Sequence, residues 1–347
     1  MARTDVTVMG AGIFGLSVAY ACARRGARVR VLDRRGVGAG ASGGIVGALA
    51  PHVPENWNPK KAFQLDSLLM AEGFWAGVRA VSGVDPGYAR LGRLQPLADA
   101  RAVDLAHERE SSAAALWGDA AEWRVIDSAA TGAWRIESAT GFQVWDSLTA
   151  RLHPARACAS LAAAVTALGG EVARGAEAPD GTVIWATGWE GLAALSADLG
   201  KTVGTGVKGQ AVLLRHKAGA VPQLFTEGLH IVPHGDGTVA VGSTSEPGFE
   251  AADAVDARAD ALAERAADLC PVLKGARVAA RWAGVRPRAR SRAPMLGAWP
   301  GRDGHFVANG GFKIGFGMAP KVAAVMADLV LEGREAIPDG FRVEDSL

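Results

Sequence analysis

The chain opens on a short apolar run, Asp5-Val6-Thr7-Val8-Met9, whose β-branched residues read as a buried strand. Apolar positions then recur at helical spacing, at Leu16, Ala19, Tyr20 and Ala23, until Gly26 stops the pattern. Arg28 to Leu32 is a second strand. Phe63, Leu65, Leu68, Leu69, Trp75 and Val78 predict a long helix ending near Gly83, and Ala98 to Leu116 a charge-rich, exposed one. Trp123 to Trp145 is short, strand-like and rich in tryptophan, which favours a core. Pro154 to Leu168 is helical, with the proline acceptable in its first turn and Gly169-Gly170 as its stop. Thr182 to Gly188 reads as a third buried strand, ending in Ala-Thr-Gly. The pattern then changes: Gly209–Leu214, Leu229–Pro233 and Thr238–Gly242 run apolar or alternate between turns, predicting an antiparallel meander. Ala251 to Leu269 reads as a helix stopped by Pro271. His305 to Asn309 is a last strand, followed by a glycine-rich turn and a helix from about Met318 to Leu331.

The joins between these elements carry the first chemistry. Gly10-Ala11-Gly12-Ile13-Phe14-Gly15 lies between the first strand and first helix, and Asp33 ends the second strand. Strand, G-x-G-x-x-G, helix, strand and acid, in that order, form a dinucleotide-binding unit. Gly10 serves the turn, Gly12 the approach of a pyrophosphate, and Gly15 the packing of helix on strand. The free N–H groups and positive end of the helix then face the phosphate charge. Asp33 is expected to accept hydrogen bonds from an adenosine ribose, which fits NAD or FAD alike. Six glycines between Gly36 and Gly47, with Ser42 among them, suggest a loop that lines the cofactor. His52, beside that loop, reads as a structural hydrogen-bonder.

Composition narrows the class. The chain has 347 residues, enough for one large domain or two, with 49% hydrophobic and 21% charged residues. Its net charge is +1, from 37 basic and 36 acidic residues, so no global field steers it to nucleic acid or anionic lipid. Cys22, Cys158 and Cys270 are far apart and lack metal-ligand spacing, so neither a disulfide framework nor a metal site is expected. No leader peptide and no membrane span are read, and a cytoplasmic location follows. Arg281 to Pro294 holds the densest charge, and Arg286, Arg288, Arg290 and Arg292 would share one side of an extended chain. Pro287 and Pro294 make a regular strand there doubtful.

These motifs together resemble the D-amino-acid oxidase superfamily of FAD enzymes, nearest its glycine oxidase and sarcosine oxidase branch. The resemblance spans nearly the whole chain. It rests on residues 8–15, Leu32-Asp33-Arg34, the Gly38 to Ser42 loop with residues 47–51, Ala186-Thr187-Gly188, Trp282 to Pro287 and the Gly310 to Pro320 turn. It implies a Rossmann-type FAD-binding domain of the α/β class, with an inserted α+β substrate domain built on an antiparallel sheet. Residues 1–50, 151–205 and 276–347 would form the first domain, and 51–150 with 206–275 the second. Non-covalent FAD is implied, because no cysteine lies near Arg286 to Pro294. Gly10, Gly12, Ile13, Phe14, Gly15, Asp33, Arg34 and Ser42 would bind its adenosine and pyrophosphate, with Thr187 and Gly188 also in contact. The backbone of Ala48 and Leu49, and that of Gly311, Phe312, Lys313 and Ile314, would lie against the isoalloxazine.

By the same resemblance Arg286 would hold a substrate carboxylate, a role suited to a planar guanidinium, with Lys313 as a second carboxylate ligand or flavin-side cation. His230 replaces the tyrosine that glycine oxidases place before the Ile-Val-Pro segment, which makes it a candidate pocket residue. The segment between Val172 and Thr182 is too short for the usual meander, leaving the adenine side more open. The implied reaction is hydride transfer from the Cα–H of a small amino acid or N-substituted glycine, giving an imine that hydrolyses. No protein general base is required. Dioxygen or another acceptor would reoxidise the flavin. The arginines from 286 to 292 also resemble a motif in the flavin domain of the enzyme that trims carboxymethylaminomethyl-uridine, which makes tRNA oxidation the alternative. A dehydrogenase or a flavin-binding subunit of a larger complex is the other.

Overall fold

A computed structural model describes residues 4–347 of the chain. In chain order the first elements are β1 (Val6–Met9), α1 (Ile13–Arg24), β2 (Val29–Asp33), β3 (Ala48–Leu49) and α2 (Pro59–Ser82). Next come β4 (Arg93–Pro96), α3 (Ala100–Trp117), β5 (Trp123–Asp127), β6 (Phe142–Asp146), β7 (Ala150–Arg151) and α4 (Pro154–Ala167). They are followed by β8 (Glu171–Arg174), β9 (Thr182–Trp185), α5 (Gly188–Asp198), β10 (Gly204–Arg215), β11 (Gln223–Thr226), β12 (Leu229–Pro233) and β13 (Thr238–Gly242). The last are α6 (Ala257–Leu269), β14 (Arg277–Ala289), β15 (Met295–Ala298), β16 (His305–Asn309) and α7 (Gly315–Glu332).

Two large sheets organise them. The first has six strands in the order β15-β16-β9-β1-β2-β8, parallel except where β15 meets β16. The second has eight, ordered β14-β10-β13-β12-β11-β4-β6-β5, and all its pairings but β11 with β4 are antiparallel. A parallel sheet is buried on both faces. Here Val8, Val31 and Ile184 are fully buried, and α1, α2, α4 and α7 share one hydrophobic cluster with β1 and β2. β8 runs directly into the loop before β9, with no meander between them.

Contacts cross the expected division of the chain, as β14 and α2 show. β14, within residues 276–347, ladders along its whole length with β10 and so belongs to the eight-stranded sheet. α2, within residues 51–150, turns Phe63, Leu68, Trp75 and Val78 into the core shared by α1 and α7. The strand through Pro287 is also regular, against expectation. β14 is an edge strand, where a missing N–H breaks no ladder bond, and the Pro287 carbonyl accepts from the Phe312 N–H at 2.9 Å. The sixth helix starts at Ala257 rather than Ala251. Asp256 caps it, accepting from the Arg258 N–H at 2.9 Å, while its own N–H is held by the Gln210 side chain at 2.9 Å.

Candidate active site

A cavity of about 700 Å³ lies at the carboxyl ends of β1, β9 and β16, where open α/β sheets bind ligands, and the eight-stranded sheet forms its far wall. It runs from Asp33 and Arg34 at one end to Arg286, Lys313 and His230 at the other. Gly10, Gly12, Ile13, Phe14, Ser42, Ala48, Thr187, Gly188, Gly311, Phe312 and Ile314 also line it. Gly15 and Leu49 do not. Leu49 is fully buried in the core. Gly15 packs on the turn before it: a Cβ there would stand 2.0 Å from the Gly10 carbonyl oxygen, so its part is helix-on-strand contact.

The dinucleotide end is pre-arranged by its own hydrogen bonds. Asp33 accepts from the Ala11 N–H at 2.9 Å, the Arg35 N–H at 2.8 Å and the Gly36 N–H at 3.0 Å. Its carboxylate thus ties the G-x-G turn to the loop after β2, and these bonds use three of about four acceptor directions. Ser42 Oγ accepts from the Ile13 N–H at 2.9 Å, pinning the glycine-rich loop across the start of α1. The first turn of α7 faces the same cavity through Gly315, Phe316 and Gly317. Two helix N-termini, an acid at the end of β2 and a hydroxyl on the glycine-rich loop suit an extended dinucleotide bearing a pyrophosphate. The residues present therefore fit FAD. None of the three cysteines lines the cavity, and each is buried with a free thiol.

The far end holds cations with few counter-ions. Arg286 is 8% exposed, and its guanidinium donates to Ser243 Oγ at 2.5 Å and to the Thr244 carbonyl at 3.2 Å. Both acceptors are neutral. Among the described residues no carboxylate lies within ion-pair distance of Arg286. Glu246, whose charge acts on it at longer range, is held by Gln210, Thr244 and Arg258. Desolvation brings the Arg286 pKa down to about 10, with Glu246 opposing. Burial also lowers the Lys313 pKa, and the Arg286 charge adds to that. His230 is pushed down to about 3 by burial, then by Arg93 and Lys313. It is therefore a neutral imidazole, and its Nδ1 has no hydrogen-bond partner among the described residues.

Some wall residues have no local signature in the sequence. Arg93 on β4 lines the cavity, pairs with the buried Asp146 at 2.9 Å and stands over the Phe225 ring. Gly209 on β10 leaves the space that the Arg286 guanidinium fills, since a Cβ there would lie 2.1 Å from its nitrogens. An isolated glycine inside a strand is the one clue available, as it often marks a close approach. His52 lines the cavity too, and hydrogen-bonds Gln64 through its backbone and ring. The other arginines of the 286–292 run do not form one row. Arg288 lies 5.8 Å from the Phe312 ring, Arg290 donates to the Leu347 carbonyl at 3.0 Å, and Arg292 turns away at a φ of 61° beyond the end of β14.

A buried parallel sheet with a G-x-G-x-x-G turn, beside a mainly antiparallel sheet that carries a charged pocket, is the architecture of a flavin oxidoreductase. The sequence profile of the DAO family of FAD-dependent oxidoreductases matches residues 5–329, and the chain belongs to that family. It is 30% identical over 376 aligned residues to a glycine oxidase of Pseudomonas putida, covering 96% of both chains. Its fold is similar to the crystal structure of glycine oxidase from Geobacillus kaustophilus, with a TM-score of 0.84 at 24% identity over 99% of each chain. It is also similar to that of iminodiacetate oxidase from Chelativorans sp. BNC1, with a TM-score of 0.82 at 23% identity over 97% and 98% of the two chains. The chain is an FAD-dependent oxidoreductase. No helix among the described residues is long and apolar enough to cross a membrane.

Proposed function

We propose that the chain oxidises the C–N bond of a small amino acid or N-substituted glycine to an imine that water then hydrolyses. The observation that carries this is the buried Arg286, which has no carboxylate within ion-pair distance among the described residues. Leaving a guanidinium desolvated without a counter-ion is costly, and an incoming carboxylate supplies one through two parallel hydrogen bonds. The identity to a glycine oxidase supports the same substrate class.

In this reading Arg286 fixes the carboxylate, and Ser243 and Thr244 fix the Arg286 guanidinium. Lys313 adds positive charge at the same end, so the site favours an anionic substrate. His230, neutral and packed against Phe225, is a hydrogen-bonding wall and not a cationic acid. FAD, when bound, supplies the hydride-accepting chemistry. The protein supplies orientation and charge. Ser42, the start of α1 and Asp33 would hold the dinucleotide, with Arg34 beside its adenosine end. A cytoplasmic site of action accords with three unpaired, buried thiols. Anaerobic addition of a panel of small amino acids and N-substituted glycines to the purified flavoprotein tests the proposal. Bleaching of the flavin absorbance by at least one of them is expected. A flavin that stays oxidised through the whole panel contradicts it.

A further inference from the structure

A second cavity, of about 290 Å³, shares no lining residue with the flavin groove. It opens between the turn after α2, the β7–α4 segment and the β12–β13 turn. Its charges do not balance. Arg79, Arg151 and Arg156 face Asp85 and Asp236, three cations to two acids, and both acids act on Arg151 at longer range. Asp85 pairs with Arg156 at 3.4 Å and accepts from the Gly87 N–H at 3.0 Å. Asp236 accepts from the Thr238 N–H at 3.2 Å and its hydroxyl at 2.6 Å. Among the described residues, neither Arg79 nor Arg151 has a carboxylate within ion-pair distance. Among the described residues the Arg151 guanidinium donates to the Gly87 carbonyl at 3.2 Å, and its Nε is buried without an acceptor.

The polar wall is short of partners as well. The Tyr88 hydroxyl, His153 Nδ1 and His234 Nδ1 are buried and make no hydrogen bond. His234 is 4% exposed, its ring lies 5.0 Å from that of His153, and its Nε2 is held by the Ile45 carbonyl at 2.9 Å. A carbonyl accepts only, so Nε2 carries the proton and Nδ1 is a bare acceptor. Burial lowers both histidine pKa values, that of His234 to about 4, so the pair is neutral. Buried polar atoms without partners are rare in folded proteins and point to an ordered water or ion. The excess positive charge and the Arg151 Nε without an acceptor call for an anion, whereas the bare imidazole nitrogen calls for a donor. A protonated phosphate is both. Sulfate, which carries no proton at neutral pH, is not.

We propose that this cavity is a phosphate site, with the anionic oxygens on Arg79 and Arg151 and a P–OH group donating to His234 Nδ1. Calorimetric titration of inorganic phosphate into the flavin-loaded chain, with ionic strength matched by sodium chloride, tests it. One saturable site is expected, with sulfate binding markedly more weakly. Arg151→Met and Arg79→Met are each expected to weaken phosphate about tenfold or more, the cost of a charge-assisted hydrogen bond. Arg79 is exposed on α2, so that variant stays informative even if the half-buried Arg151 proves necessary for folding. A small phosphate monoester run in parallel separates the sources. Equal affinity assigns the site to esterified phosphate, and binding of inorganic phosphate alone assigns it to the free anion. Absence of saturable binding, equal affinity for sulfate, or phosphate binding that survives in both variants would overturn the proposal.

Discussion

At the scale of single residues, the account rests on how a buried guanidinium is seated. Arg286 has three supports: two neutral acceptors, Ser243 and Thr244, and the empty space over Gly209. Gly209→Ala removes that space, because its Cβ would fall 2.1 Å from the Arg286 nitrogens and the guanidinium must move. A misplacement of about 1 Å at a reacting site costs up to on the order of a hundredfold. We therefore expect this variant to retain flavin and lose at least tenfold in kcat/KM, mostly through KM. Steady-state kinetics beside a flavin spectrum decide it, and wild-type kinetics in the variant would show that Arg286 does not depend on this space. The relation was illegible in the sequence. Val207, two residues from Gly209, is the ladder partner of Arg286, and some 80 positions of chain separate the pair. No local pattern reports such a contact.

Elements were legible wherever a short-range rule decides them. α1, β2 and the turn between them follow from glycine spacing and apolar period, and the structure places them within a residue or two of expectation. The doubt over Pro287 failed for a definite reason: edge position is a property of the sheet, invisible in the strand's own residues. α6 begins six residues later than expected, where the Asp256 carboxylate caps its first turn. The glycine-rich loop shows how an element is held in place. Ser42 Oγ takes the Ile13 N–H, so the loop reaches the start of α1 through a single hydroxyl. Ser42→Ala deletes that link at a cost of about 1 kcal/mol. It is expected to loosen flavin several-fold and leave the substrate dependence of the flavin-loaded fraction unchanged. Fluorescence titration of flavin onto the apoprotein measures the first part, and unaltered flavin affinity would deny the loop its role.

Across the whole molecule, two buried histidines link stability to pH. His230 and His234 are depressed in the folded chain to about 3 and about 4, from an ordinary value of 6.5. Each stays neutral in the fold while the unfolded chain takes up a proton, so their contribution is complete above pH 6.5 and is lost as pH falls toward the folded values. Each adds a limiting slope of about 1.4 kcal/mol per pH unit. Urea unfolding between neutral and mildly acidic pH, in phosphate-free buffer, is expected to show falling stability with a shallower slope in His234→Gln. Parallel slopes in variant and wild type would remove His234 from the explanation.

The same scale joins the two sheets. The parallel sheet offers the G-x-G-x-x-G turn, the antiparallel one offers Arg286 and His230, and one cavity lined by both lies where they meet. Its central claim is that a carboxylate held by Arg286 selects the substrate. Anaerobic flavin reduction, followed against concentration for glycine and for methylamine in the wild type and in Arg286→Ala, tests this most directly. The wild type is expected to prefer glycine strongly. The variant is expected to keep its flavin, need on the order of a hundredfold more glycine, as truncating one partner of a buried charge pair does, and respond to methylamine as the wild type does. Reduction of the variant by glycine at an unchanged half-saturating concentration would contradict the account.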